Sequence, residues 1–460
     1  MLYAVGTQPG RLFRTRTQGL ARARGRVSVL PRWLRLLGPL LVLALPAGAQ
    51  ASELRVLRVG TSGDYAPFSE AVEETSVYRG FDIAVAEAFA RDHGYQLEWV
   101  QFVWPDLAAN LKSGRFDLAM SGITVRVDRS ALGRFSVPVM TSGAVLLYTS
   151  ASFDQAPDAA ATGGQEPGLA RFDRPGIRIA VNRGGHLERV TRSRFERATV
   201  RSIPNNASVR QALIDGNADA IVTDTLEAPG WRKGLKGVAQ FGPLTRDRKA
   251  YWVAPDREGL SRELDRWLLQ READGTLSAL RRAAFGDEEH ERTARPLDAL
   301  LAAIDERLAL MSWVAESKRR AGSAIEDAAR EARVLQAGAR AVLAAAKRDG
   351  VSAPPEAAVR AFYRAQIEAA KTIQRRTLQG AVSRSAEPSD LKQILRPALI
   401  RIGDRMAQLI VALYRAPQGL DSDFEFGQKI ERALRAQKLD PTTLEKMRRT
   451  IVALTANGDR

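Results

Sequence analysis

The chain has 460 residues, 45% hydrophobic and 27% charged, which excludes a wholly disordered polymer and leaves room for two domains and an export segment. It has no cysteine, which excludes disulfides, thiol nucleophiles, Cys-ligated zinc or iron–sulfur centres and an acylated lipoprotein anchor. The formal charge is +16, and the three histidines His93, His186 and His290 are too widely separated to suggest a His-based metal centre.

At the start, eight arginines and no acids precede residue 36, and they lead into the apolar run Leu34–Leu45, broken by Gly38 and Pro39. That run is too short to span a bilayer comfortably, and small residues at Ala47, Ala49 and Ala51 offer cleavage sites. Residues 1–51 are therefore expected to be an export signal, with no stable membrane anchor after cleavage and a periplasmic destination. Its removal takes away about half of the positive excess. No Lys/Arg stripe interleaved with aromatics remains, so small anionic substrates are expected rather than nucleic acid.

From Leu54 to about Gly286 short apolar strands alternate with amphipathic helices. Strands are expected at Leu54–Gly60, Leu97–Phe102, Phe116–Ser121, Ile177–Val181, Thr199–Ser202 and Ala218–Thr223. Helices are expected at Phe81–His93, Asp106–Lys112, Leu187–Phe195 and Ser208–Asp215. This is α/β material, expected to divide into two lobes around Tyr148–Ser152 and Lys249–Ala254. After a polar linker at residues 288–296, strand signals vanish. Helices are expected at Leu297–Arg320, Ile325–Arg348, Ala358–Gln379, from Ser389 and Asp390 to about Tyr414, at Asp423–Lys438, and from Pro441 onward. Six helices without strands make a bundle.

In the first long helix Arg307 and Lys318 are eleven residues apart, so they lie within about 20° of each other on one face. Gln366, Ala370 and Gln374 share a face of the third helix. Singly, such residues are usually a solvated surface. Together, the run "ERLALMSWVAESKRR…IEDAAREARVL…FYRAQIEAAKTIQ…LRPALIRIGDRM" resembles the helical chorismate mutases, especially the exported class, over about 160 residues. The resemblance implies that Arg307, Arg330 and Arg396 grip the carboxylates of chorismate. It further implies that Lys318 and Gln374 reach the ether oxygen, and that Asp327 and Glu331 hold the ring hydroxyl. A Claisen rearrangement needs no nucleophile, metal or cofactor, only a folded conformer and donors where charge grows on the ether oxygen. Ala370 stands where the family often carries Asn, Ser or Thr, so one substrate hydrogen bond is expected to be missing.

The front text "RVGTSGDYAPFSE…YRGFDIAVAEAFA…GRFDLAMSGITVRVDRSALGRFSVPV" resembles the periplasmic amino-acid-binding proteins, two-lobed modules that close on a small solute. The resemblance implies that Arg129 pairs with a substrate carboxylate, with Ser121 and Thr124 adding hydrogen bonds and Asp224 facing a polar substrate group. Tyr65, Phe68 and Trp104 would wall a ring. Within that fold, "GDYAPFS", "FVWPDL", "AVNRGGHLERV" and "KAYWVAPD" are most similar to cyclohexadienyl dehydratase, which converts prephenate to phenylpyruvate or arogenate to phenylalanine. Asn182 and the Gly184–Gly185 turn match that pattern, His186 replaces its usual Thr, and Glu188 aligns with the general acid, expected to be kept neutral by a dry cleft.

The expected architecture is thus a two-lobed α/β periplasmic-binding-protein fold over residues 52–287, followed by an all-α bundle of chorismate mutase type over 297–460. The expected function is a bifunctional exported enzyme that converts chorismate to prephenate and then prephenate to phenylpyruvate, arogenate to phenylalanine, or both, the preference being left open. The alternatives are a solute receptor fused to a mutase, or a ligand-gated scaffold with two inactive modules. Oligomeric state is left open.

Overall fold

A computed structural model describes residues 55–72, 77–150, 153, 168–287, 290–380, 390–416 and 423–455. The expected export signal, and Ser389 of the fourth bundle helix, lie outside the described residues.

Two five-stranded sheets form the front part. The first runs Tyr95–Gln101, Arg55–Thr61, Leu118–Ala119, Trp252–Val253, Arg134–Phe135, with the first three parallel and the last two joined antiparallel. The second runs Thr199–Ile203, Arg178–Asn182, Ala220–Asp224, Ala144–Thr149, Val238–Phe241, and Ala144–Thr149 is antiparallel to both its neighbours. Parallel strands buried on both faces need near-continuous apolar runs, and Ala220–Asp224 is buried throughout. The helix Phe81–His93 falls where the 3.6-residue pattern put it, and Gly94 ends it in the left-handed conformation.

The first crossing between the sheets lies earlier than the sequence suggested, and the second ends at Lys249, where the expected one began. Ala144–Thr149 belongs wholly to the second sheet and Trp252–Val253 to the first. The chain crosses on the antiparallel pair Met140–Ser142 and Asp247–Lys249. An apolar strand reads the same whichever sheet it joins, so only the pairing reveals the crossing.

The rear part is helical: Pro296–Ala309, Met311–Arg320, Ala328–Arg348, Glu356–Gln379, Arg396–Arg415, Asp423–Leu434 and Pro441–Thr455. The expected first helix is thus interrupted at Leu310. A π-turn, Leu391–Leu395, capped by Asp390, runs into Arg396–Arg415, and Pro397, which has no N–H to give, follows directly on that widened turn.

Residues 54–460 form one compact unit. One apolar core passes from Leu264, Leu268 and Leu277 through Ala294 and Leu297 into the bundle. The expected linker is a packed connector: Thr293 donates to Pro138 O at 2.8 Å, Ala294 is buried, and Arg292 pairs with Glu272 at 3.2 Å. Between the two parts, Arg405, paired within the bundle with Glu306, donates to Phe135 O, while Arg401 donates to Ala131 O at 2.9 Å. Arg248, on the crossing strand, pairs with Asp305 and donates to Ala433 O at 3.0 Å.

Candidate functional site

The front cleft is lined from both sheets, by Tyr65, Trp104, Thr124 and Arg129 on one side and by Asn182, His186 and Asn206 on the other, with Lys249 from the crossing strand. Arg129 sits on the short helix Val127–Leu132 and is 5% exposed. Its Nη1 donates to Thr124 O at 3.0 Å, and the Trp252 indole fixes its backbone carbonyl at 3.1 Å. Burial, together with Arg126 and Arg189 nearby, lowers the guanidinium to about 9. A buried cation without a counter-charge in contact is poised for a ligand carboxylate.

Lys249 was missed in the sequence. Its ammonium donates to Tyr65 Oη at 2.9 Å and Thr124 Oγ1 at 3.1 Å, and pairs with Asp224 Oδ2 at 3.1 Å. Asp224 is fully buried. Its Oδ2 also accepts from Tyr65, and its Oδ1 accepts from the Leu226 and Glu227 N–H groups at 2.9 and 3.0 Å. Trp104 packs edge-on to Tyr65 with centroids 5.9 Å apart and donates to Asp64 at 3.1 Å. Gly122, at φ +60, is required under Tyr65, because a Cβ there would lie 2.4 Å from the ring.

Several expectations change. Ser121 is buried behind the cleft, 2.7 Å from Ser62 Oγ, and Phe68 is core; neither lines the cavity. Asp224 is enclosed by protein donors and does not face the cleft. Glu188 is also outside the lining. Burial would raise its carboxyl, but Gly184 N–H at 2.6 Å, the Ser202 hydroxyl and Arg192 at 3.0 Å outweigh it and hold it below the ordinary glutamate value. The neutral acid expected there is not found in this arrangement. A carboxyl near the cleft that is pushed well up is that of Glu227, by burial and by Asp224, and it lies behind Asn206, which donates to it at 2.6 Å. His186, at the unmatched position, does line the cleft, with Nε2 2.9 Å from Asp247 Oδ1.

In the bundle, Lys318, Arg330 and Arg396 lie within electrostatic reach of one another. Burial lowers the Lys318 ammonium, opposed by Asp327 and Glu326 and reinforced by Arg396, while Arg330 is lowered by burial and then by Arg396. Lys318 Nζ donates to Ile325 O at 2.9 Å. Asp327 caps the helix Ala328–Arg348 by accepting the Arg330 N–H at 2.8 Å, and Glu331 pairs with Lys371 at 3.3 Å. Both acids thus have protein partners, where the sequence suggested a substrate hydroxyl.

Arg307 is pushed down by burial and lies near Tyr363. Around it, Tyr363 Oη, both amide atoms of Gln366 and Oε1 of Gln374 are buried without a hydrogen-bond partner. Such atoms are rare in folded proteins, and four on one helix mark a place for a polar ligand. Tyr363 is seated on Gly338, where a Cβ would meet its ring at 2.5 Å. The sequence placed Gln366 on one face with Ala370 and Gln374 without giving it a role, and Tyr363 was missed; its signal is its place three residues before Gln366 and eleven before Gln374, on the same face.

Comparison with known proteins follows this geometry. The profile of bacterial extracellular solute-binding proteins, family 3, matches residues 57–287, and that of chorismate mutase type II matches residues 298–375. Cyclohexadienyl dehydratase of Pseudomonas aeruginosa is 34% identical over 251 residues, covering 52% of this chain and 88% of that protein. An L-cystine-binding protein of Escherichia coli is 25% identical over 239 residues, covering 52% and 85%. A crystal structure of an ancestral amino acid-binding protein, a precursor of cyclohexadienyl dehydratase, is 31% identical with a TM-score of 0.45, covering 50% of this chain and 95% of that one. This chain belongs to family 3 of the bacterial extracellular solute-binding proteins and carries, fused behind that fold, a chorismate mutase type II domain.

Proposed function

We propose that the chain is an exported, periplasmic bifunctional enzyme that rearranges chorismate to prephenate in the bundle and converts prephenate to phenylpyruvate in the front cleft. One observation carries the reading: a fold 34% identical to cyclohexadienyl dehydratase is joined in one chain to a chorismate mutase domain, whose product such a dehydratase consumes.

In the bundle, Arg307, Arg330 and Arg396 hold the two carboxylates. Lys318 and Gln374 meet the ether oxygen as the C–O bond breaks and negative charge develops there. In the cleft, Arg129 and Thr124 hold the side-chain carboxylate, and Trp104 and Tyr65 wall the ring. The ring carboxylate leaves as carbon dioxide, its bonding electrons enter the ring, and hydroxide departs from the opposite carbon as water. Glu188 supplies that proton. Free, it is held ionised by Arg192 and Ser202. A bound dianion beside it raises its pKa, so protonation accompanies substrate binding.

The test feeds chorismate to the full-length protein and follows prephenate and phenylpyruvate. Prephenate should appear transiently and give way to phenylpyruvate. Lys318→Ala should halt chorismate consumption yet convert supplied prephenate, and Arg129→Ala should let prephenate accumulate. If the parent protein leaves prephenate intact but binds an amino acid, the front part is a receptor, the reading that resemblance to the L-cystine-binding protein favours.

A further inference from the structure

The residues lining the front cleft include two permanent cations, Arg129 and Lys249, and no carboxylate. The acids just behind the lining are all engaged by protein groups: Asp224 and Glu227, 0% and 3% exposed, by the donors around them, Asp247 by His186 and Thr245, and Asp64 by Trp104. Three hydrogen bonds and an ion pair converge on the Asp224 carboxylate: two backbone N–H groups on Oδ1, the Tyr65 hydroxyl on Oδ2, and the Lys249 ammonium 3.1 Å from Oδ2. A carboxylate has about four lone-pair directions, so Asp224 has none left for a ligand. Lys249 is equally committed, donating to Tyr65 and Thr124 and paired with Asp224. The lysine ammonium thus occupies the place where a ligand's own ammonium would find its counter-charge.

We infer that the cleft selects a 2-oxo acid over its 2-amino counterpart, prephenate over arogenate, because Lys249 fills the Asp224 carboxylate from within. The inference rests on the dehydratase reading and deepens it. The two substrates share ring, ring carboxylate and hydroxyl, and differ where one carries a carbonyl and the other an ammonium. An incoming ammonium would approach Lys249 and Arg129 with no uncommitted carboxylate in the lining to receive it, and burying an unpaired charge beside like charges is strongly unfavourable. A carbonyl oxygen at the same place meets only donors.

The experiment measures kcat/KM of the full-length protein for prephenate and arogenate, and calorimetric binding of phenylpyruvate and L-phenylalanine. The expected preference for prephenate is at least about 100-fold, the discrimination a site makes against an analogue carrying a polar group it does not pair. Phenylpyruvate should bind and L-phenylalanine should not. Lys249→Met removes the internal ammonium at similar volume and should narrow the ratio at least about tenfold by freeing Asp224. The binding arm needs no variant, so it decides the matter even if Lys249→Met fails to fold. Arogenate turned over within about threefold of prephenate, or L-phenylalanine bound more tightly than phenylpyruvate, overturns the inference. Turnover of neither substrate removes the dehydratase reading, and the same binding pair then still tests the charge selection alone.

Discussion

Replacing Arg405 by Met should destabilise the whole protein, not one half of it. Arg405 and Glu306 pair with side chains 8% and 5% exposed, and Arg405 also donates to Phe135 O across the junction between front and rear. The variant leaves the Glu306 carboxylate, and a first-sheet carbonyl, buried without a partner. Breaking a buried pair by removing one member costs about 3–5 kcal/mol, a sizeable share of the roughly 5–15 kcal/mol that holds a domain folded. Asp265, already raised to about 7 by burial, loses a charge that lowers it, which adds to the penalty. Urea unfolding followed by tryptophan fluorescence, which senses mainly the front part, and by helical circular dichroism, which senses mainly the rear, measures the effect. Both signals should move together to lower urea. The double variant Arg405→Met, Glu306→Leu should recover most of the loss, because replacing both members by apolar groups is close to neutral. A single variant costing under about 1 kcal/mol, or a double variant no better than the single, would refute the idea that this pair is buried and uncompensated.

Two further outcomes follow from the sites. Gln366→Met should raise stability by about 1 kcal/mol, since it removes two unpartnered buried polar atoms, while lowering mutase kcat/KM about tenfold; lost stability with unchanged turnover would make Gln366 merely structural. Glu188→Gln should reduce dehydration about 100-fold and spare the mutase, and Arg192→Leu should shift the alkaline limb of the dehydration profile upward, because Arg192 helps hold the carboxyl ionised. Full activity in Glu188→Gln, with loss in His186→Gln, would move the proton to the imidazole that faces Asp247.

Much of the fold was legible because it rests on local periodicity. Phe81–His93 and the helical run after Pro296 bury apolar residues at 3.6-residue spacing, and that pattern survives in any tertiary context. The position of Arg129 could also be read, since the surrounding motif is specific and the helix bearing it is short. What could not be read is which polar groups pair with one another. Glu188 looks like a free carboxyl in the chain, yet Ser202, fourteen residues on, and Arg192 take it up. Asp224 looks like a ligand acid until Lys249 and Tyr65, distant in sequence, close on it.

The amino-acid sequence by itself determined the order of α/β and helical parts, the absence of thiol chemistry, and the residue types available to each site. Only the tertiary structure decided where the chain crosses between sheets, that residues 290–295 pack as a connector, and which charges remain open to a ligand. The physical reason is that hydrophobic periodicity is written locally, whereas the satisfaction of a buried charge depends on whatever donor the fold brings within about 3 Å of it.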